Sequence, residues 1–498
     1  MIDRAPFRAR LPLLALLILA VACGDGAPPP PQADGAYPRP EGSHRELGLA
    51  GWAKVLCSAV FVSGREPREA VYLSGYNFLP EEDRERVRWE VDRERREVRM
   101  RIGELSRTAR FYGDQGCIIH PRDHDGIFFQ PVPVTTSLPE ARSQPWPMGD
   151  APGDAASGTP LPPEIDAGLL ERAVAAAFEP PAAHTAAFLV LYRGRIVAER
   201  YAPRIDRDTQ LESWSMGKSL TATLIGVLIE RGELGLDQPA PVPAWRGPGD
   251  PRAQIRVRDL LQMSSGLRFS SHRDPGYDPA TSPYLDHFYV YTGAVDVFAY
   301  SIERPLEFPA GSTGRYRNCD PLVLGYLIRQ ANGGPGAAYL TFPQRALFDR
   351  IGIRRQVLET DPYGNFLLTG FDYGTARNWA RLGLLYLRDG VWQGERILPP
   401  GFVDFVRSPA PAWEEPVYGG LFWLNRTGRW PLPEDAYAMA GAGGQRVFIV
   451  PSLDLVVVRL GHFRGGDEGT RALDRALELL VAAVGRRPSP AAGGRRLP

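Results

Sequence analysis

Lysine is nearly missing from this chain. Of 58 basic residues among 498, only Lys54 and Lys218 are lysines. A guanidinium stays protonated, whereas a desolvated ammonium can lose its proton and act as a base, so the chain has almost no amine base to offer. Net charge is missing as well. The 58 acidic residues balance the basic ones, which removes the electrostatic footing for nucleic acid or for strong adhesion to an anionic membrane. Cysteine is scarce: four residues, with no Cys-x-x-Cys pair and no Cys/His cluster. No zinc site is expected from them, and nothing points to another metal or to a cofactor. The seven histidines form no triad pattern with a nucleophilic serine. Leu11 to Ala22, interrupted by Pro12, offers about a dozen apolar residues where a membrane-spanning helix needs roughly 20.

That short run has another use. Arg4, Arg8 and Arg10 precede it and the small residues Ala20-Val21-Ala22 close it, the pattern of an export signal over residues 1–22. Cys23 follows at once, and Ala20-Val21-Ala22-Cys23 resembles a bacterial lipobox with Ala20 where leucine is usual. Cys23 is the candidate for lipidation, giving a periplasmic or cell-surface protein held to the membrane by its lipid. Ordinary cleavage at the same bond would leave it secreted and soluble. Residues 23–46, rich in Pro, Gly and Ala, read as a tether. Cys57 and Cys117 share the next segment and are candidates for a disulfide, which would contribute about 4 kcal/mol by closing a loop of about 60 residues. Cys319 is left over.

Residues 47–134 are expected to form a small α+β module. Val87 to Val91 and Val98 to Ile102 alternate apolar and polar, as half-buried strands do, with Arg93 to Arg96 as an exposed hairpin turn. Residues 135–164 have many Pro, Gly, Ser and Ala and little periodicity, and read as a linker. From 165 to 485 the pattern is that of one larger domain, followed by a disordered tail over 486–498. A helix near Leu169 to Phe178 leads into a hairpin, Ala187 to Tyr192 and Ile196 to Arg200, turning at Arg193-Gly194. Helical stretches follow at Met216–Arg231, Val257–Met263, Pro321–Ala331 and Ala376–Arg388. Strands at Arg446–Val450 and Leu455–Leu460 and an amphipathic helix near Arg471 to Val484 close the domain. Strands at both ends of a helical middle predict an α+β fold: one antiparallel sheet built from both termini, with a helical subdomain inserted.

Ser215-Met216-Gly217-Lys218 opens one of those helices and contains the second lysine. Three residues apart, the two side chains share a helix face. At a helix N-terminus the dipole and free N–H groups favour a developing negative charge. A serine hydroxyl is a poor nucleophile until a base takes its proton. Lys218 can do so if burial and nearby positive charge lower its pKa. Tyr316, in Tyr316-Arg317-Asn318, is a candidate proton shuttle to a leaving group. Gly441-Ala442-Gly443-Gly444-Gln445 leads into a strand whose small residues would let substrate lie along its edge, and a backbone N–H there would complete an oxyanion hole with that of Ser215.

These three elements, in this order, resemble the serine β-lactamase/penicillin-binding superfamily and particularly its class-C-like esterase branch. Leu224 to Gly235 and the segment Leu260-Leu261-Gln262-Met263-Ser264-Ser265-Gly266-Leu267 are similar to further stretches of that family. The Gly443-Gly444-Gln445 ending looks most like 6-aminohexanoate-dimer hydrolases. The resemblance implies that Ser215 is acylated, Lys218 activates it and Tyr316 moves the proton. It also implies that Asn318 positions substrate and that the Gln445 N–H joins the oxyanion hole, with Ala442, Gly443 and Gly444 against the substrate. Ala442 stands where β-lactamases carry a lysine or histidine that binds the substrate carboxylate. Small esters, or amides without that carboxylate, are therefore the expected substrates. The rival readings are a D-amino-acid peptidase or penicillin-binding protein acting on cell-wall peptides, and a catalytically silent binding module. The N-terminal module would bind a partner, cover the active-site cleft or act as a spacer.

Overall fold

The computed structural model describes residues 37–75, 78–151, 160–278 and 282–485. The expected export signal, Cys23, most of the tether and the tail at 486–498 lie outside the described residues. No helix among the described residues is long and apolar enough to cross a membrane.

The larger unit is organised by a six-stranded antiparallel sheet. Its order is Trp423–Leu424, Tyr437–Gly441, Gln445–Val450, Leu455–Gly461, Thr185–Tyr192, Arg195–Tyr201. The last strand of the chain thus pairs with the first strand of the domain, Val457 opposite Val190, as the sequence predicts. Every residue of Thr185–Tyr192 and Leu455–Gly461 is buried, because these central strands are covered on both faces. Helix Ala376–Leu387 packs across Gln445–Val450 and Leu455–Gly461, while helices Gly466–Val484 and Ala167–Ala176 pack on each other. The inserted helical part contains Met216–Glu230, Val257–Leu261, Asp286–Thr292, Val297–Ile302 and Cys319–Ala331.

The N-terminal unit is a helix, His44–Phe61, laid on a four-stranded antiparallel sheet of Arg88–Asp92, Glu97–Ile102, Leu105–Phe111 and Cys117–Ile119. The two expected strands pair with Val91 opposite Val98. The helix itself is missing from the sequence reading, and it starts three residues inside the expected tether, capped by Ser43. It is buried on all sides from Leu47 to Val60, Lys54 and Ser58 included, so it has no 3.6-residue stripe to reveal it. One side meets its own sheet, while Leu47 and Val55 join the core of the larger unit. Cys57 and Cys117 are bonded to each other, and Cys319 is buried and unpaired.

The expected linker is fastened rather than free over its described first half. Trp146 donates to Gly194 O (2.8 Å), Arg354 to Met148 O (2.6 Å), and Asp150 pairs with Arg381 (2.8 Å). Its composition hides this because the partners lie 48, 206 and 231 positions away in the chain.

Candidate active site

Ser215 sits at the N-cap of helix Met216–Glu230 with its hydroxyl unused for capping. The preceding residue, Trp214, holds a left-handed φ of 46°, a strained conformation for a bulky residue. It persists because the Trp214 ring is packed among Phe78, Phe371 and Phe463. Lys218 lies one turn on, 1% exposed, with Nζ 3.1 Å from Ser215 Oγ and donating to Thr369 O at 2.7 Å. Burial, then the positive charge of Arg273, hold its pKa well below the ordinary lysine value, while Asp372 opposes them. These surroundings favour the neutral amine form of Lys218 beside Ser215.

Gly217 and Gly441 are glycines for lack of room. A Cβ on Gly217 would stand 2.2 Å from Asp372 Oδ2, so the first helical turn presses directly on that buried carboxyl. Burial pushes the Asp372 pKa up to about 7. A Cβ on Gly441 would stand 2.2 Å from Ser213 O and 3.1 Å from Ser215 N, so the strand end runs against the backbone of Ser215. Gly441→Ala is expected to push this strand end off Ser215. Activity on an ester should drop by about 100-fold, the cost of losing one oxyanion donor, while the thermal midpoint shows the variant still folded.

Tyr316 is buried and bonds Ser215, with Lys218 Nζ 5.0 Å from its ring centroid. Burial dominates the titration of its phenol, and Ser215, Arg273 and Arg446 only partly offset it, so the pKa rises to about 12. The phenol therefore stays protonated, which suits a proton donor.

The segment containing Met263 to Leu267 explains how Tyr316 is held. Arg315 N donates to Met263 O (2.9 Å), Gly311 N to Ser264 O (2.8 Å), and Ser265 Oγ to Asp320 Oδ1 (2.6 Å). This part of the chain braces the turn on which Tyr316 stands.

The other expected site residues divide. Ala442 is exposed and lines the cavity together with Ser215, Tyr316 and Gly441. Gln445 does not line it: its side chain turns away to clasp Gly461 through Nε2 to O (2.7 Å) and Oε1 from N (2.8 Å). It begins the next strand, opposite Gly441, because residues 442–444 form the hairpin turn. The stretch from Gly441 leads into the next strand as the sequence expects, and Gly443 and Gly444 lie in the turn outside the cavity lining. Asn318 does not line the cavity either. It is fully buried and donates to His287 O at 2.7 Å, tying the Tyr316 turn to helix Asp286–Thr292. The cavity measures about 510 Å³. Sequence reasoning missed Phe78, Trp214, His287, Arg273, Arg429 and Arg446 around it. In a chain with 56 arginines nothing singles out those three. Phe78 comes from the N-terminal unit, which therefore contributes a wall of the cleft. No group of three or more His, Cys, Asp or Glu residues able to hold a metal ion occurs among the described residues.

A serine on a helix N-terminus with a buried lysine one turn on, beside a five-residue strand end of an antiparallel sheet built from both ends of its domain, defines a class. The pattern of the Beta-lactamase family matches residues 170–482, and the chain belongs to that family. The 6-aminohexanoate-dimer hydrolase of Paenarthrobacter ureafaciens is 24% identical over 318 residues, covering 58% of this chain and 79% of that one. Two solved structures share the fold. A candidate 6-aminohexanoate-dimer hydrolase from Bacillus anthracis has a TM-score of 0.51 at 20% identity, covering 62% of this chain and 82% of its own. A candidate beta-lactamase from Bacteroides dorei DSM 17855 has a TM-score of 0.51 at 19% identity, covering 65% of this chain and 100% of its own.

Proposed function

We propose that this protein is an exported, lipid-anchored serine hydrolase that cleaves an ester or amide through an acyl-enzyme on Ser215. The observation that carries the reading is the 3.1 Å approach of a buried Lys218 amine to Ser215 Oγ. Family membership and the hydrolase relative support it. Lys218 takes the Ser215 proton as Oγ attacks the substrate carbonyl. The oxyanion forms against the N–H of Ser215 and the N–H of Ala442, the residue that follows the closely packed Gly441. Tyr316, protonated and bonded to Ser215, passes a proton to the leaving alcohol or amine and recovers one from the Lys218 ammonium. Water then enters by the reverse path, splits the acyl-enzyme and restores the Ser215 hydroxyl. Asn318 acts by holding the Tyr316 turn rather than by touching substrate.

The anchor rests on Cys23 behind the apolar run and on the absence from that run of enough residues to span a bilayer. One experiment reads both parts. Protein from the membrane fraction is treated with a fluorophosphonate probe and mapped by mass spectrometry. The expected result is a probe adduct on Ser215 and a mature N-terminus at acylated Cys23. Folded protein that takes no label on Ser215 rules out the acyl-enzyme, and an unmodified Cys23 rules out the anchor.

A further inference from the structure

Three guanidinium groups line the cavity that holds Ser215: Arg273, Arg429 and Arg446. They arrive from different places, two from loops and Arg446 from the strand next to Gly441, where it stands opposite Ala440. Elsewhere several inward-facing arginines pair with carboxylates, although the fully buried Arg459 is held by the Thr185 hydroxyl and three backbone carbonyls alone. Arg377 pairs with Glu199 (2.6 Å), Arg381 with Asp150 (2.8 Å) and Arg317 with Asp274 (3.1 Å). The cavity trio has no carboxylate within ion-pair distance among the described residues. Asp474 attracts Arg429 and Arg446 only from farther off.

The three are also crowded. The Arg273 and Arg429 guanidiniums lie 5.2 and 5.0 Å from the Trp423 ring centroid, and Arg273 also lies 5.2 Å from that of Tyr316. Burial, reinforced by the charge of Arg429, lowers the Arg446 pKa to about 10. Arg446 spends one nitrogen on the carbonyls of Gly441 and Gln445, both at 2.7 Å, which fixes the rest of its fork at the cavity wall. Arg446 is half-buried while Arg273 and Arg429 are exposed at the cavity mouth, and like charges gathered in this way favour any anion that joins them.

We propose that Arg446, with Arg429 and Arg273, forms an anion subsite that holds a carboxylate of the substrate, so the ester or amide cleaved is an anionic one. This rests on the Ser215 acyl-enzyme reading. It reverses the sequence expectation drawn from Ala442, which holds only if a cation must come from that one position. In the fold the charge is supplied by a residue on the next strand and by two loops, and a planar guanidinium suits a carboxylate through paired N–H bonds.

Three esters of one chain length test it: neutral 4-nitrophenyl hexanoate, mono-4-nitrophenyl adipate with a carboxylate on the acyl end, and 3-carboxy-4-nitrophenyl hexanoate with one on the leaving group. At low salt, one of the anionic esters should be hydrolysed with a kcat/KM about tenfold or more above that of the neutral ester. Arg446→Gln and, at a more exposed position, Arg429→Gln should each shrink that anionic-to-neutral ratio, the former by about tenfold. A ratio at or below one in the wild type, or a ratio unmoved by both variants, overturns the subsite. A second arm needs no turnover. Adipate should bind Ser215→Ala, and binding should weaken about tenfold when Arg446→Gln is added. Binding that is absent or unmoved overturns the subsite even if the esters are cleaved. Cleavage of no ester together with no fluorophosphonate label on Ser215 removes the acyl-enzyme reading instead.

Discussion

Lys218→Arg should lower kcat/KM on any ester the protein cleaves by about 1,000-fold, within the range for losing a positioned general base. The change keeps a basic side chain able to donate to Thr369 O, but it puts a permanent cation beside Ser215 because an arginine does not give up its proton. A role confined to holding the loop at Thr369, or to electrostatic attraction, would leave most of the activity in place. Lys218→Ala should be equally inactive, and it adds no bulk to the buried site, so it separates loss of the base from crowding. The pH profile supplies a further check. The wild-type kcat/KM should fall as pH drops through the lowered pKa of Lys218, because only the neutral amine accepts the serine proton. Asp372, pushed up to about 7 against the same helical turn, titrates close by, so the acid limb belongs to the pair rather than to one residue. Residual activity that keeps the wild-type acid limb in Lys218→Arg would refute the assignment.

The largest effect on stability should come from the other lysine. Lys54 Nζ is 2.8 Å from Glu359 Oε2, with side chains 1% and 0% exposed, and it also donates to Cys117 O. Glu359 accepts from Cys117 N and Ser58 Oγ, each at 2.7 Å. One buried ion pair therefore ties the N-terminal helix, the disulfide strand and the loop leading to Asp372 into a single joint. Lys54→Met leaves the Glu359 carboxylate buried beside an apolar side chain, which should cost about 3–5 kcal/mol in chemical denaturation. Glu359→Gln added to Lys54→Met removes the orphaned charge and should recover a substantial part of that loss, giving a coupling well above additivity. A single-variant loss below about 1 kcal/mol would show that the joint does not hold the units together.

How the two lysines differ shows where sequence reading succeeds and where it stops. Lys218 was legible because its partner is three residues away, so helix geometry alone fixes the encounter. Tyr316 and the Gly441 strand end were legible as motifs, though their register was not. The hairpin turn at residues 442–444 separates Gln445 from the cavity that Ala442 lines, and the position of such a turn among small residues depends on what the strand packs against. Lys54 drew no functional or structural reading, because Glu359 is 305 positions away and only the folded chain brings them together.

By itself the sequence determined the antiparallel sheet made from both ends of its domain, the helix that begins after Ser215, and the placement of Lys218 one turn along it. All of these depend on short-range periodicity or on spacing within one helical turn. Tertiary structure alone decided the rest. It fastened the N-terminal unit to the core and put Phe78 into the cleft wall, held Lys218 away from water, and gathered Arg273, Arg429 and Arg446 around Ser215. The physical reason is common to all of these. Desolvation and charge convergence are properties of surroundings, and those surroundings are assembled from residues far apart in the chain.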